Sequence, residues 1–192
     1  MTTIYLVRHC DYENPDHVNP FRNAGYPLSS LGRREASSLA EHFSKEKIAA
    51  IYSSPLLRCQ QTAHIIAKKL GLLVKTDDRL LEVNSPYAGM NLDQFNNLTR
   101  PVSLYALPLQ IEKGETPEEI YTRLKSITDE VLTRFPNQNL IFVSHGDPIM
   151  ILLSSLRGQD ISLFKIPTDR YIPKGGVIRL VFSGSKLVSY NQ

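Results

Sequence analysis

The sequence predicts an α/β fold, a three-layer α/β/α sandwich around a mostly parallel central sheet. Short apolar, β-branched runs alternate with segments of helical period along most of the chain. The runs are almost continuously apolar, as strands covered on both faces are. The chain can also bury a sizeable core. Of its 192 residues, 42% are hydrophobic and 21% charged. For this mass, surface scaling takes an unfolded chain of ~31,000 Å² to a folded one of ~9,000 Å².

Each element has its own signal. Residues 4–7 form the first apolar run. Ala36, Leu39, Ala40 and Phe43 then recur at helical spacing, with Ser29 or Ser30 placed to cap the helix. A second strand is expected over 48–52. Pro55 suits a first helical turn and opens a helix that turns Leu56, Cys59, Ala63, Ile66 and Leu70 inward and ends at Gly71. A third strand follows over 72–76. Residues 83–114 break the alternation with many Asn and Pro, and read as a lid or insertion with one short helix from Asn91. Thr116-Pro117-Glu118-Glu119 is a capping box that feeds Ile120, Leu124, Ile127 and Val131 onto one helical face, until Pro136 stops the helix. A strand over 140–143, a helix from Pro148 to Leu156, a Gly175-Gly176 turn and a strand over 177–182 complete the series. With no repeat, low-complexity tract or linker, residues 1–192 are read as one domain.

Several classes are excluded or disfavoured. No apolar run is long enough to span a membrane, and no heptad pattern supports a coiled coil. A balance of 22 basic against 19 acidic residues, net +3, is too mild for a nucleic-acid footprint. Cys10 and Cys59 cannot build a disulfide framework or a four-thiolate zinc site, which suits a reducing compartment. The opening residues lack the pattern of a secretory leader, so the expected address is cytoplasmic. Oligomeric state is left open.

In sheets of this kind the binding crevice lies beyond the carboxyl ends of the strands. Arg8 and His9 stand there, as do Ser53 to Arg58 and Ser144-His145-Gly146-Asp147. A lone histidine or arginine is most often an ordinary loop or surface residue. Two of each at strand exits, with His9 and His145 separated by 136 places, are harder to dismiss. Guanidinium forks and helix N-termini bind phosphate oxygens. A neutral imidazole held in line can attack phosphorus. The alkoxide that leaves then needs an acid, and Glu82, after the third strand and at the mouth of the lid, is the best-placed carboxyl.

Leu6-Val7-Arg8-His9-Cys10 resembles the Arg-His-Gly signature of the histidine phosphatase superfamily, which includes the phosphoglycerate mutases. Leu28-Ser29-Ser30-Leu31-Gly32-Arg33-Arg34-Glu35-Ala36 and Ser53-Ser54-Pro55-Leu56-Leu57-Arg58-Cys59-Gln60-Gln61-Thr62-Ala63 resemble its first two helix motifs. Leu80-Leu81-Glu82, Gly114-Glu115-Thr116 with Arg123, and Val143-Ser144-His145-Gly146-Asp147 continue the agreement in order. The resemblance implies a phosphoglycerate mutase-like fold with His9 as the phosphorylated nucleophile. It implies that Arg8, Arg58 and His145 form the phosphate pocket with His9, and that Glu82 is the acid and later the base. It implies no metal and no cofactor. The expected activity is hydrolysis of a phosphomonoester, on a small phosphorylated metabolite or a phosphorylated protein. A phosphoglycerate mutase-type phosphotransferase and a catalytically silent phosphate-binding adaptor are the alternatives.

Departures from the pattern bear on substrate. Cys10 replaces the glycine after the nucleophile, Tyr12 a small hydroxyl residue, and Pro15 an asparagine, with Asn14 one place away. Arg22, Tyr87 and Arg100 are possible substrate contacts, although a surface role is the commoner one for each. If the arginines lower the Cys10 thiol's pKa, peroxide should inactivate the protein reversibly. A cysteine-dependent phosphatase is disfavoured, since Asp16 and Ile65 stand where its arginine is required after Cys10 and Cys59. No nucleotide-binding loop or dinucleotide fingerprint occurs. A metal site on His145, Asp147 and a third ligand has no helical His or Cys pair to support it.

Overall fold

In the computed structural model, which describes residues 1–165 and 167–191, six strands form one sheet in the order β3-β2-β4-β1-β5-β6. They are β1 (Thr2–Arg8), β2 (Ile48–Ser53), β3 (Val74–Thr76), β4 (Asn139–Ser144), β5 (Val177–Ser183) and β6 (Lys186–Asn191). The first four run parallel, while β5 and β6 are antiparallel additions at one edge. The helices are α1 (Ser30–Phe43), α2 (Leu57–Leu70), α3 (Leu92–Thr99), α4 (Pro108–Lys113), α5 (Pro117–Arg134) and α6 (Gly146–Leu156).

The three layers follow from the alternation within β1. Ile4 and Leu6 enter one core cluster, whereas Tyr5 and Val7 enter the other. The second cluster packs the sheet against Ala40 and Phe43 of α1 and Cys59, Ala63 and Ile66 of α2. On the opposite face, Ile120, Leu124, Ile127 and Val131 of α5 meet the apolar α6. The folded surface is 9395 Å².

Ser29 caps α1 by accepting the Gly32 amide, Gly71 ends α2 at φ 66°, and Thr116 and Glu119 form the reciprocal capping box of α5. The expectations for the lid and for the C-terminal edge are corrected. The lid holds more than one short helix, since α3 is followed by a 3-10 turn at Leu104–Ala106 and by α4. The final strand β6 was not anticipated, because it lies mostly exposed at an edge and carries no apolar run. The Gly184-Ser185 turn, with Gly184 at φ 58°, was its only local signal.

Candidate active site

The sheet brings three chain segments to one place. β4 lies between β1 and β2, and the parallel register sets Arg8 opposite Ser144 and Ser53 opposite Val143. Beyond the strands, the His9 amide donates to the Ser144 carbonyl at 2.9 Å and the Ser54 amide to the Val143 carbonyl at 2.9 Å. Arg58 arrives from the first turn of α2 and is only 1% exposed.

His9 has a defined tautomer. Its Nδ1 lies 2.9 Å from the Cys10 carbonyl oxygen. That oxygen only accepts, so Nδ1 carries the ring proton and Nε2 keeps its lone pair. Burial, followed by the charge of Arg58, holds the imidazole well below the usual histidine range, so it is neutral at pH 7.

The guanidinium groups are only partly satisfied. Arg8 donates through Nη1 to the Ile172 carbonyl at 2.8 Å. Arg58 donates through Nη2 to the Phe21 carbonyl at 2.8 Å and to His145 Nδ1 at 3.2 Å. Nε of Arg8 and both Nε and Nη1 of Arg58 are buried without a protein partner. Buried charged donors left unpaired are costly, and an anion with several oxygens offsets that cost.

His145 is brought to the same cluster, its ring centroid 5.2 Å from that of His9. It is fully buried behind Arg58 rather than on the wall of the cavity. Nδ1 accepts from Arg58, so Nε2 donates to Ser54 Oγ at 2.9 Å. Glu82 stands 3.6 Å from Nδ1 of the same ring.

Glu82 follows a 3-10 turn at Asp78–Leu80. Its carbonyl accepts Arg22 Nε at 2.6 Å and Arg123 Nη2 at 3.4 Å, and Glu115 braces both arginines. Its carboxylate accepts the Val83 amide at 2.9 Å. Burial raises the carboxyl, Arg58 opposes the rise and the charge of Asp147 adds to it, leaving the pKa at about 7.

A cavity of about 630 Å³ opens over Arg8, His9, Arg58 and Glu82. Phe95, Arg100, Val102 and Tyr105 of the lid cover it, with Phe164 and Tyr171 from the segment after α6. Arg100, for which a surface role was the commoner expectation, lines the cavity. Arg22 instead anchors the Glu82 backbone, and Tyr87 packs at 6.4 Å from Phe95 without lining the cavity. Asn14 closes its own loop through Val18. Tyr12 forms a wall, with its ring centroid 5.4 Å from that of His9 and 5.6 Å from the Arg58 guanidinium carbon.

Tyr105 and Tyr171 were not anticipated. They come from the lid and the tail, converge on Asp147, and have no distinguishing local pattern. Among the described residues, no group of three or more His, Cys, Asp and Glu is placed to hold a metal. No helix there is long and apolar enough to cross a membrane.

The idea of an activated Cys10 is overturned. The side chain is fully buried, and burial pushes its thiol up to about 12; Cys59 behaves likewise. A thiol reagent should therefore label neither cysteine in the native protein and both after denaturation. Rapid labelling of Cys10 under native conditions would contradict this arrangement.

Known proteins share this architecture. The model for the histidine phosphatase superfamily, branch 1, matches residues 4–190. Phosphoserine phosphatase 1 of Hydrogenobacter thermophilus is 33% identical over 172 residues, which are 85% of this chain and 80% of that protein. A probable phosphoglycerate mutase of Yersinia enterocolitica is 30% identical over 165 residues, covering 82% of this chain and 76% of the relative. The solved structure of YhfR from Bacillus stearothermophilus shares the fold with a TM-score of 0.84. It is 21% identical, and the match covers 98% of this chain and 95% of that one.

Proposed function

Because the chain belongs to branch 1 of the histidine phosphatase superfamily, we propose that it hydrolyses a phosphomonoester through a phosphohistidine on His9. One observation carries this reading. Unpaired, buried guanidinium nitrogens of Arg8 and Arg58 lie at a site with an imidazole whose Nε2 is free.

The substrate's phosphoryl oxygens bind Arg8 and Arg58, which neutralise charge without reorganising. His9 Nε2 attacks phosphorus as Glu82 gives its proton to the ester oxygen. The nitrogen–phosphorus bond forms, the phosphorus–oxygen bond breaks, and the alcohol departs. Glu82, now a carboxylate, takes a proton from water, whose oxygen attacks phosphorus. The nitrogen–phosphorus bond breaks and inorganic phosphate leaves with His9 restored. His145 acts as a positioning residue that accepts from Arg58 and faces Glu82.

Cavity size favours a small phosphorylated metabolite over a phosphorylated protein, since small-molecule sites span roughly 300–1,000 Å³. The names of relatives that act on small phosphate esters support the same class.

Turnover of 4-nitrophenyl phosphate should release inorganic phosphate, and alkaline quenching should trap phosphate on His9. Phosphoryl exchange between phosphoglycerates well above hydrolysis would instead make the protein a mutase. Thermal stabilisation by phosphate esters without turnover would make it a binding protein.

Glu82→Gln should cost roughly 10²–10⁴-fold in turnover of alkyl phosphates, within the range for a positioned acid, and much less with activated aryl esters. The acid form exists below the Glu82 pKa of about 7. Alkyl ester cleavage should therefore fall as pH rises through about 7. The base form needed for dephosphorylation is lost as pH falls through the same point. Equal losses on both ester classes would remove Glu82 from the acid role.

A further inference from the structure

Among the charged groups on the cavity wall, Asp147, Arg100 and Lys165 have no direct part in the steps above, and Asp147 is the acidic one. Asp147 lies in the first turn of α6 and faces the space shared with Arg8, His9, Arg58 and Glu82. Its Oδ1 accepts the Tyr171 hydroxyl at 2.5 Å, and its Oδ2 accepts the Tyr105 hydroxyl at 3.0 Å. Both partners are neutral phenols, and among the described residues no ion pair forms to Asp147. Gly146 makes room for this arrangement. A Cβ there would fall 2.2 Å from the Tyr171 hydroxyl oxygen.

Two phenols from distant parts of the chain thus hold a carboxylate beside an anion site. A carboxylate has about four acceptor directions, and the phenols use two. Burial raises the Asp147 carboxyl above its ordinary range, and the two phenol hydrogen bonds, followed by the charge of Arg8, oppose that rise. A bound phosphate dianion would engage that same guanidinium. The negative charge of Asp147 then repels a plain phosphate ester and attracts one that brings its own cation.

We propose that Asp147 selects the leaving group, and that the preferred substrates are phosphomonoesters whose alcohol carries a protonated amine a short chain from the ester oxygen. This rests on the hydrolytic reading of the site. The dianion is held by Arg8 and Arg58, and the ammonium donates to the open lone pairs of Asp147. The zwitterion spans the pocket with both charges paired.

The test compares kcat/KM for phosphoethanolamine, ethylene glycol monophosphate and N-acetylphosphoethanolamine in one protein. The native protein should favour the amine over the hydroxyl ester by about tenfold or more, a modest demand for a desolvated charge pair. Acetylation, which removes the charge, should abolish the preference. Asp147→Asn should bring the ratio to within about threefold of unity, since the amide cannot neutralise an ammonium. Changes in folding or in His9 affect both esters alike and cancel in that ratio. A carboxylate that only latched the lid through Tyr105 would leave the ratio unmoved in the variant, which would overturn the proposal. A native ratio at or below one would overturn it even if the variant failed to fold. Turnover of 4-nitrophenyl phosphate alongside such a ratio would leave the phosphatase reading intact. Failure to turn over any ester would defeat both.

Discussion

Replacing His9 with alanine should lower turnover of every phosphomonoester by on the order of 10⁴-fold or more, a barrier increase of about 5.5 kcal/mol. No other side chain can take over the attack. His145 is the nearest alternative, but its Nδ1 accepts from Arg58 and its Nε2 donates to Ser54. Both thiols are buried and held protonated. The variant should still bind inorganic phosphate through Arg8 and Arg58, because its loss is of a nucleophile rather than of charge. Substrate mixed with the variant and quenched in base should carry no phosphate on protein. A phosphorylated residue elsewhere, or activity within tenfold of the native protein, would displace His9 from its assigned role.

The second large effect is expected at Arg58 and pairs lost activity with unharmed folding. Arg58 is 1% exposed, and two of its three nitrogens have no protein partner. Arg58→Met keeps much of the apolar stem and removes a buried, incompletely paired charge whose desolvation opposes folding, which offsets the loss of its donors to Phe21 and His145. Its melting temperature in phosphate-free buffer should be no lower than that of the native protein. Loss of this guanidinium should reduce kcat/KM by on the order of 10³-fold, about 4 kcal/mol in the transition state. Phosphate at a hundredfold excess over its Kd stabilises a folded protein by about 2.7 kcal/mol. The native protein should show that gain, and the variant should lose most of it. A large fall in melting temperature with phosphate stabilisation retained would make Arg58 a structural residue.

Much of this was legible because the governing interactions are local or periodic. The five expected strands sit within a few residues of β1 to β5, and the capping box of α5 lies where Thr116 and Glu119 place it. The third strand is shorter than the expected 72–76, spanning Val74–Thr76. Leu73 is 88% exposed, and pairing with β2 begins only at Val74. In the lid, the short helix expected from Asn91 is present, but Ser103 also caps a helical turn and Pro108 starts another. These residues break long elements but favour short ones.

The site divides along the same physical line. Arg8, His9, Arg58 and His145 could be assigned to one crevice from the chain alone. A parallel sheet places its carboxyl ends together, and those residues stand within a few positions of the ends. Glu82 was legible as the carboxyl following the third strand, but its pKa of about 7 arises from burial and from Asp147, a residue 65 places away. The place of His145 behind Arg58, the use of Arg22 as a backbone anchor and the inert state of Cys10 are products of packing. So is the pairing of Asp147 with Tyr105 and Tyr171. Periodicity and caps act over a few residues and are written in order along the chain. Burial, charge coupling and the choice of hydrogen-bond partners depend on which distant segments meet, and that is known only once the chain has folded.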